Sequence, residues 1–248
     1  MNVILLHCTP EPERLVALAA RLCYSPANLS DLQEEVSRKD VRKLVRRVLS
    51  MGHTSVLEHV VFTYGVERIS RATSHQLVRH RIASYSQQSQ RYVAAAFGYV
   101  TPETIRGDEP SAAQSGEPGR PNRKKPLSEK FEKHMRSSAA LYEEMVKAGI
   151  PAEDARFVLP NATETKILVT MNARELHHFF ALRLCRRAQW EIREMARRML
   201  AIAWEKAPLL FESAGPGCVR SRCPEGKMTC GDPAGVRREI AELKGAAR

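Results

Sequence analysis

The chain lacks the sequence features that define several large classes of protein. Its 248 residues contain no apolar run near the roughly 18 residues that a membrane-spanning helix needs. They contain neither the glycine-rich fingerprint of dinucleotide-binding folds nor the phosphate-binding loop of many nucleoside triphosphatases. Both motifs hold phosphate at a helix N-terminus. Any phosphate that this protein binds must therefore be held by side chains.

A lysine-rich tail is also absent, although the chain is strongly basic. Lys and Arg number 39 against 28 acidic residues, which gives a formal charge of +11. The arginines recur in separate blocks, at positions 79, 81 and 91, then 174, 183, 186 and 187, then 193, 197 and 198. A solvated helix face is the simpler interpretation of the last block. The others indicate built-in anion sites, assembled by one chain or by several.

A secretory leader is not evident either. Residues 1–8 include an apolar stretch, but no basic segment precedes it and no small-residue cleavage site follows it. We therefore expect this stretch to form the first β-strand and the protein to be cytoplasmic.

The most informative segment is residues 79–92, with the sequence R-H-R-I-A-S-Y-S-Q-Q-S-Q-R-Y. It combines three arginines, one histidine, three serines and three glutamines with few apolar side chains. Planar groups with several donors suit a ligand that carries phosphate and an acceptor-rich heterocycle. The segment therefore predicts a nucleotide site.

Two other functions fit parts of this pattern. A nucleic-acid-binding module would explain the charge, but it needs aromatic side chains between the arginines, and Tyr85 and Tyr92 supply few. A metal-dependent nucleotide hydrolase needs a cluster of carboxylates and histidines, which residues 79–92 lack. Both functions remain alternatives to a nucleotide-binding enzyme at this point.

The six cysteines fall into two groups. Cys8, Cys23 and Cys185 lie among apolar residues and are expected to behave as small core side chains. The other three form a C-x4-C-x6-C cluster at positions 218, 223 and 230. This spacing matches no standard zinc motif and no histidine lies nearby, so free thiols are the default expectation over a metal or a redox pair.

Hydrophobic periodicity predicts a mixed fold in which helices outnumber strands. Strands are expected at 1–8, 60–66 and 166–171. The first helix is expected to start with Thr9 as N-cap and Pro10 in its first turn, to bury Leu15, Leu18, Ala19 and Leu22, and to end near Tyr24. A second helix, with apolar positions 41, 44, 45, 48 and 49, should end at Gly52.

Further helices are predicted downstream. Ser55 and Glu58 have the spacing of a capping box. A helix over 69–78 should deliver the arginine-rich segment, and Ser128 should cap a helix that ends at Gly149. Residues 172–206 should be helical with a break near Cys185. Residues 106–126 are rich in proline, glycine and charge, which predicts a flexible surface insert.

Several motifs together resemble the flavin-dependent thymidylate synthases. Arg79-His80-Arg81, seven residues and Ser89 match that family's signature. The resemblance extends to G-H-x-S-x-x-E-H at 52–59, A-R-x-x-L-P at 155–160, N-A-R-E-L at 172–176, L-R at 182–183 and A-Q-W-E at 188–191. It covers most of the chain outside the 106–126 insert and the cysteine-containing tail at 215–248.

The resemblance implies an enzyme that methylates dUMP reductively to dTMP. The one-carbon donor would be methylenetetrahydrofolate, and NADPH would reduce the protein through FAD. It implies an α/β (α+β) fold, helix-rich with a small central sheet, in which residues 1–248 form a single domain. It also implies a homotetramer whose active sites are shared between subunits, with no nucleic-acid or membrane partner and no metal.

The same resemblance implies specific site residues. The flavin would contact Ser55, Glu58, Arg79, His80, Arg81, Gln87, Asn172, Arg174 and His178. The substrate dUMP would contact Gln76, Leu77, Val78, Arg79, Gln87, Gln88, Ser89, Gln90, Arg91, Arg156 and Arg183. Arg183 would be the catalytic residue, because a fixed cation at the N3 edge of the uracil favours an electron-rich ring.

Some positions depart from the family pattern. Ser86 and Gln87 replace the Asn and Glu of many members, so a role that needs a carboxylate there is not transferred. His178 and Arg187 stand where other members can have Asn and His. Ser89 is expected to be a substrate ligand and not a nucleophile, because the sequence places no general base beside it. None of the cysteines has the surroundings of the attacking thiol in flavin-independent thymidylate synthases.

Overall fold

A computed structural model gives the structure of residues 1–92, 98–106 and 124–246. The strands are β1 (Asn2–Cys8), β2 (Val61–Ser70), β3 (Ala83–Gln87) and β4 (Glu164–Asn172). The helices are α1 (Pro12–Leu22), α2 (Leu29–Arg38), α3 (Arg42–Ser50), α4 (Arg71–Leu77), α5 (Glu103–Arg106), α6 (Lys124–Lys147), α7 (Ala152–Ala155), α8 (Ala173–Arg183), α9 (Trp190–Lys206), α10 (Pro208–Phe211), α11 (Gly217–Arg220) and α12 (Pro233–Ala246). Short 3₁₀ helices cover Thr54–His59, Arg156–Val158 and Gly226–Met228.

The four strands form one antiparallel sheet in the order β1-β2-β4-β3. Side chains alternate across β2, where Phe62, Tyr64 and Val66 are buried and the residues between them are half-buried. The same period-2 alternation buries Ile167, Val169 and Met171 on β4. The helix-rich α+β architecture expected from the sequence is confirmed.

The chain divides into two compact units. Unit 1 contains residues 1–2, 66–78 and 86–167, and unit 2 contains residues 3–65, 79–85 and 168–248. In unit 1, Met135 and Tyr142 of α6 are buried, and so are Ile69 of β2 and Leu77 of α4. A single domain over the whole chain stays a prediction.

The core of unit 2 is aromatic. The ring of Phe211 meets Phe62 edge-on at a centroid distance of 5.5 Å, and it meets Phe180 at 6.0 Å. His177 stacks on the same ring at 5.4 Å and also hydrogen-bonds through Nε2 to the Leu210 carbonyl. Around these rings, the stripe of α9 is fully buried, as its spacing predicts: Ile192, Met195, Ala196, Met199, Leu200 and Ala203.

Residues 215–246, which belong to the predicted tail, contain two helices, α11 and α12. Helix α12 buries Val236 and Ile240. The ammonium group of Lys244 is also buried, and it donates hydrogen bonds of 2.9 Å to the carbonyls of Glu212 and Ala214. Burial lowers the pKa of this lysine to about 8. The C-terminal helix is therefore docked onto unit 2 by both apolar and polar contacts.

Several predicted helix starts were wrong. Helix α1 begins at Pro12 and follows Glu11 in a left-handed conformation, so Thr9 and Pro10 precede it. Thr9 instead pairs with Val61 beside the sheet. Helix α6 begins at Lys124, before Ser128 and inside the predicted insert. The rest of that insert, 107–123, lies outside the described residues.

Other expectations failed because tertiary contacts outweighed local pattern. Helix α1 buries Val16, Ala17 and Ala20 instead of the predicted face, and Leu22 is 53% exposed. Ile69 and Ser70 extend β2, and Ser70 caps α4 from the strand end. Cys23 is exposed, so it is not the core side chain that its neighbours predict, whereas Cys8 and Cys185 are half-buried.

None of the helices within residues 1–92, 98–106 and 124–246 has both the length and the apolar composition of a membrane span.

Candidate active site

Helix α8 carries the polar centre of unit 2. Asn172 ends β4 and caps the helix, because its Oδ1 accepts the Glu175 backbone N–H at 2.8 Å. Glu175, Phe179 and Arg183 then follow at four-residue intervals, so they lie on one face. The turn before β3 brings His80 against that face, where its ring meets Phe179 at a centroid distance of 5.0 Å.

A hydrogen-bonded chain links Arg183, His80 and Glu175. The Nε–H of Arg183 donates to His80 Nε2 at 3.0 Å. Arginine has no acceptor, so His80 Nε2 carries the lone pair and the ring proton sits on Nδ1. That Nδ1–H donates to Glu175 Oε1 at 3.1 Å. These three residues are called here the Arg183 relay. His80 and Glu175 hold the Arg183 guanidinium in place, and the hydrogen bonds at the two ring nitrogens of His80 fix its neutral tautomer.

Burial and charge keep His80 neutral. Its side chain is 2% exposed, and burial lowers its pKa to about 4, with further lowering by the charges of Arg183 and His178. Burial raises the pKa of Glu175. Tyr85 donates its hydroxyl proton to the His80 carbonyl at 2.8 Å, and burial raises the pKa of that phenol. The relay is therefore held by hydrogen bonds that join the Arg183 cation, a neutral imidazole and the Glu175 carboxyl group.

The depressed pKa of His80 predicts a pH dependence of stability. Unfolded His80 takes up a proton near pH 6.5 and the folded residue does so near pH 4, so its contribution is complete above pH 6.5 and is lost as the pH falls through that window. Between pH 7 and 5 this loss amounts to at most about 2 kcal/mol. Urea unfolding at both pH values should show it in the wild type, and His80→Gln should reduce it.

Glu175 acts in the opposite direction, because its raised pKa gives a contribution that is lost as the pH rises. The pH dependence of the unfolding free energy must therefore be compared between the wild type and His80→Gln, because neither protein alone isolates the contribution of His80. If His80→Gln loses as much unfolding free energy between pH 7 and pH 5 as the wild type does, the pH dependence does not come from His80.

An ion pair lies at the N-terminal end of α8. Arg174 is in the first turn of the helix and is hydrogen-bonded to Glu58, which belongs to the 3₁₀ helix Thr54–His59. Glu58 therefore pairs with α8 and closes no capping box, and the predicted α-helix cap at Ser55 was wrong. Ser55, Arg79, Arg81 and His178 are all exposed in unit 2.

Unit 1 contains a separate arginine cluster. Arg91 Nε donates to the Glu153 carboxylate at 2.8 Å, and Arg156 Nε donates to the Glu153 backbone carbonyl at 3.0 Å. Arg71 belongs to the same group, because burial and then the charge of Arg156 lower its pKa. Ser89 Oγ accepts the Arg91 backbone N–H at 3.1 Å. Glu153 thus holds two guanidinium groups in place while both retain other N–H donors.

The remaining predicted substrate positions have different environments in unit 1. Gln87 donates to Thr165 Oγ1 at 3.1 Å, and the Gln88 backbone N–H donates to the Lys166 carbonyl. Leu77 is fully buried, so only its backbone can reach a ligand, whereas Val78 is 40% exposed. Gln76 and Gln90 are half-buried.

Comparison with known proteins decides the family. The family model described as "thymidylate synthase complementing protein" matches residues 4–209. The flavin-dependent thymidylate synthase of Geobacter sulfurreducens is 53% identical over 98% of this chain and 99% of its own. The enzyme of Clostridium tetani is 46% identical over 96% of both chains. That of Pyrococcus furiosus is 42% identical over 91% of this chain and 90% of its own. The chain belongs to the flavin-dependent thymidylate synthases.

Membership in this family confirms the resemblance read from the motifs. It sets aside the nucleic-acid-binding module and the metal-dependent hydrolase, because neither accounts for matches that span nearly the whole chain. The chain is a flavin-dependent enzyme, and the expectation of a flavin cofactor is confirmed.

Sequence reasoning missed three residues of the site. Glu175 and Tyr85 fix His80, and Arg71 joins the arginine cluster of unit 1. The four-residue spacing of Glu175, Phe179 and Arg183 was the available signal for Glu175. No sequence pattern around Arg71 indicates that it belongs to the arginine cluster of unit 1.

The side chains of unit 2 fit an FAD group in their chemistry. Its pyrophosphate and ring oxygens are acceptors, and the exposed guanidinium groups of Arg79, Arg81 and Arg174 are donors.

Proposed function

We propose that this protein converts dUMP into dTMP by reductive methylation, with methylenetetrahydrofolate as one-carbon donor and NADPH as reductant through FAD. The observation that carries the proposal is the Arg183 relay in a chain that belongs to the flavin-dependent thymidylate synthases. A cation whose position is fixed before substrate arrives costs no reorganisation during reaction. That property suits an enzyme that must polarise the uracil ring.

Arg183 is proposed to face the N3 edge of the uracil. Its Nε–H donates to His80, and its terminal NH2 groups are proposed to face the substrate. A guanidinium there stabilises negative charge on the N3–C4–O4 system and raises electron density at C5, which attacks the methylene carbon. Because His80 is neutral, it orients Arg183 and does not cancel or add to its charge.

The flavin is proposed to be held by Ser55, Glu58, Arg79, His80, Arg81, Gln87, Asn172, Arg174 and His178. When bound, FAD supplies the reducing equivalents for the new methyl group. Arg174 is the best-positioned cation of the set, since Glu58 fixes its guanidinium at the start of α8. His80 is buried, so its part is to support the site through Arg183 and its own backbone.

The dUMP phosphate is proposed to lie on Arg91 and Arg156, with Ser89 beside them. The Arg91–Glu153 pair is about half exposed, and such a pair contributes little to stability and can be exchanged for a phosphate. Arg71 adds a third cation to this group. Gln76, Leu77, Val78, Gln87, Gln88 and Gln90 complete the proposed substrate set.

The proposed assembly is a cytoplasmic homotetramer with active sites shared between subunits. Apolar side chains exposed in unit 2 support a subunit interface: Ile4, Leu6, Leu22, Tyr24 and Leu168. Monomeric proteins rarely expose many large apolar groups together. Analytical ultracentrifugation of the purified protein measures the assembly directly.

Release of tritium from C5-labelled dUMP tests the reaction. The full protein should release tritium and form dTMP when FAD, NADPH and methylenetetrahydrofolate are all present. Omission of any one of them should stop dTMP formation. Tritium release that is unchanged without FAD, or dTMP formation that is absent in the complete mixture, would contradict the proposed function.

Arg156→Ala is predicted to weaken dUMP binding. Hydrogen bonds to charged groups contribute about 1.5–3 kcal/mol, so KM for dUMP should rise roughly 10-fold or more. The fall in kcat at saturating dUMP should be much smaller, because Arg156 contacts the phosphate and not the reacting ring. Steady-state kinetics with varied dUMP measures both constants.

Arg136→Ala is the matched control, since this arginine is exposed on α6 and pairs with Glu132 four residues away. It should leave KM unchanged. A KM for Arg156→Ala within error of the control would remove Arg156 from the substrate site.

A further inference from the structure

Four cysteines gather at the C-terminal part of unit 2. The cluster at Cys218, Cys223 and Cys230 lies beyond residue 209, where the match to the family model ends. The fold adds Cys185, from the turn between α8 and α9, as a fourth thiol. Cys218 is buried and the other three are half-buried.

Salt bridges tie the α8–α9 turn, which carries Cys185, to the segment that follows Cys230. Arg186, its neighbour in sequence, pairs with Asp232 at 2.9 Å and with Glu239 at 2.5 Å. Asp232 is two residues after Cys230 and Glu239 is on α12. The Arg186 side chain is 18% exposed, so this junction is well packed.

Three further contacts close the segment that carries Cys218 and Cys223. Arg237 on α12 donates to the Cys218 carbonyl at 2.7 Å and to the Ser221 carbonyl at 3.2 Å. Gly217 and Pro224 approach so closely that a Cβ on Gly217 would lie 2.8 Å from Pro224 Cγ. Cys218 and Cys223 are the inner neighbours of these two residues, so the loop returns on itself between them.

The segments that carry Cys218, Cys223 and Cys230 meet at one cavity. Cys223 lines this cavity together with Thr229 and Gly231, the residues on either side of Cys230 in sequence. Arg237, which donates to the Cys218 carbonyl, lines the same cavity. The three cysteines of the C-terminal cluster therefore belong to backbone segments that pack around a common space.

We infer that Cys185, Cys218, Cys223 and Cys230 form a structural zinc site that fastens the C-terminal segment to the α8–α9 turn. Four thiolates are a common closed ligand set for structural Zn²⁺. A cavity of about 530 Å³ beside Cys223, lined also by Thr229, Gly231 and Arg237, leaves room for the loop to move inward.

Inward movement of the loop is required by the geometry of zinc. Zn–S bonds are about 2.3 Å long, which places the four sulfurs about 4 Å apart. Among the described side chains, the group whose ligand atoms already lie within 4.8 Å of one another is His80, Glu175 and His178. The loop of residues 221–231 must therefore contract around the ion. Gly231, with φ of +82°, supplies a left-handed turn directly after Cys230.

Metal analysis of the full-length protein tests this site. Protein expressed in zinc-supplemented medium and purified without a metal-affinity step should contain one zinc per chain by mass spectrometry of the elements. Cys223→Ser and Cys230→Ser should lose most of it. Cys23→Ser is the matched control, because Cys23 is exposed and lies outside the cluster, and it should keep its zinc.

Cobalt provides a second measurement that does not depend on variants folding. Wild-type protein stripped by a chelator should develop the intense visible bands of a tetrahedral cobalt thiolate when Co²⁺ is added, and zinc should abolish them. The chelator should also lower Tm, and zinc should restore it.

Three results would overturn the inference. If protein from zinc-supplemented cells contains no zinc and gives no cobalt spectrum, the four cysteines do not bind a metal. Iron with acid-labile sulfide in stoichiometric amount would replace zinc with an iron–sulfur cluster. Thiols that become accessible to alkylation only after reduction would assign the four cysteines to disulfides.

Discussion

Arg183→Ala is expected to lower kcat for tritium release from C5-labelled dUMP by about 100-fold or more. Loss of one preorganised charge-stabilising donor typically costs 10²- to 10³-fold. Arg183 is the cation that His80 and Glu175 fix in unit 2, and no shift in its own ionisation is needed, because arginine stays protonated even when burial lowers its pKa. The effect should appear in kcat more than in KM for dUMP.

Two variants make this result specific. Arg183→Lys keeps a charge but has no planar fork and no Nε–H for His80, so it should recover only a small part of the activity. Arg38→Ala removes an exposed arginine that pairs with Glu34 on α2, and it should keep wild-type kcat. Initial rates of tritium release at saturating dUMP give kcat for Arg183→Ala, Arg183→Lys and Arg38→Ala relative to the wild type. If kcat of Arg183→Ala falls less than about 10-fold, Arg183 is not the residue that polarises the ring.

Of the substitutions proposed for this protein, Phe211→Ala should lower the free energy of unfolding the most. Its ring is fully buried and contacts Phe62, Phe180 and His177 at centroid distances of 5.5, 6.0 and 5.4 Å. Truncation of a buried phenylalanine costs about 3–5 kcal/mol, because burial is lost and a cavity remains. Three facing aromatic groups cannot collapse into that space without leaving their own contacts. Urea unfolding at one fixed protein concentration measures the change, since association also contributes to stability.

Phe157→Ala is the control for the same side-chain deletion. Phe157 is 84% exposed, so its removal should change the free energy of unfolding by no more than about 0.5 kcal/mol. Equal losses for the two variants would show that the aromatic cluster around Phe211 does not hold unit 2 together.

Much of the fold follows from local pattern. The apolar spacing of α9 predicted the buried stripe that the structure contains, and Gly52 and Gly149 end α3 and α6 in left-handed conformations. Helix α8 and helix α9 separate near Cys185 as expected. These features depend on short-range periodicity and on the backbone freedom of glycine, both of which are written in consecutive residues.

Local pattern failed where a distant residue competed for the same group. Ser55 and Glu58 have capping-box spacing, yet Glu58 pairs with Arg174, which lies 116 residues away. Thr9 looks like an N-cap, yet its hydroxyl accepts the Val61 N–H at 2.9 Å beside the sheet. A polar side chain takes the partner that leaves the fewest buried groups unpaired, and sequence spacing cannot reveal a long-range partner.

The family and its chemistry were readable from the sequence, because the residues that bind a nucleotide are polar, numerous and fixed in spacing along residues 79–92 and 172–191. What only the tertiary structure decided is which groups act together. His80 was expected to touch flavin, but the fold also places it between Arg183 and Glu175. Cys185 stood alone in sequence, and the fold ties its turn to the segment after Cys230 through Arg186. Both results depend on contacts between residues separated by 33 or more positions, and only the packing of helices onto the sheet sets such distances.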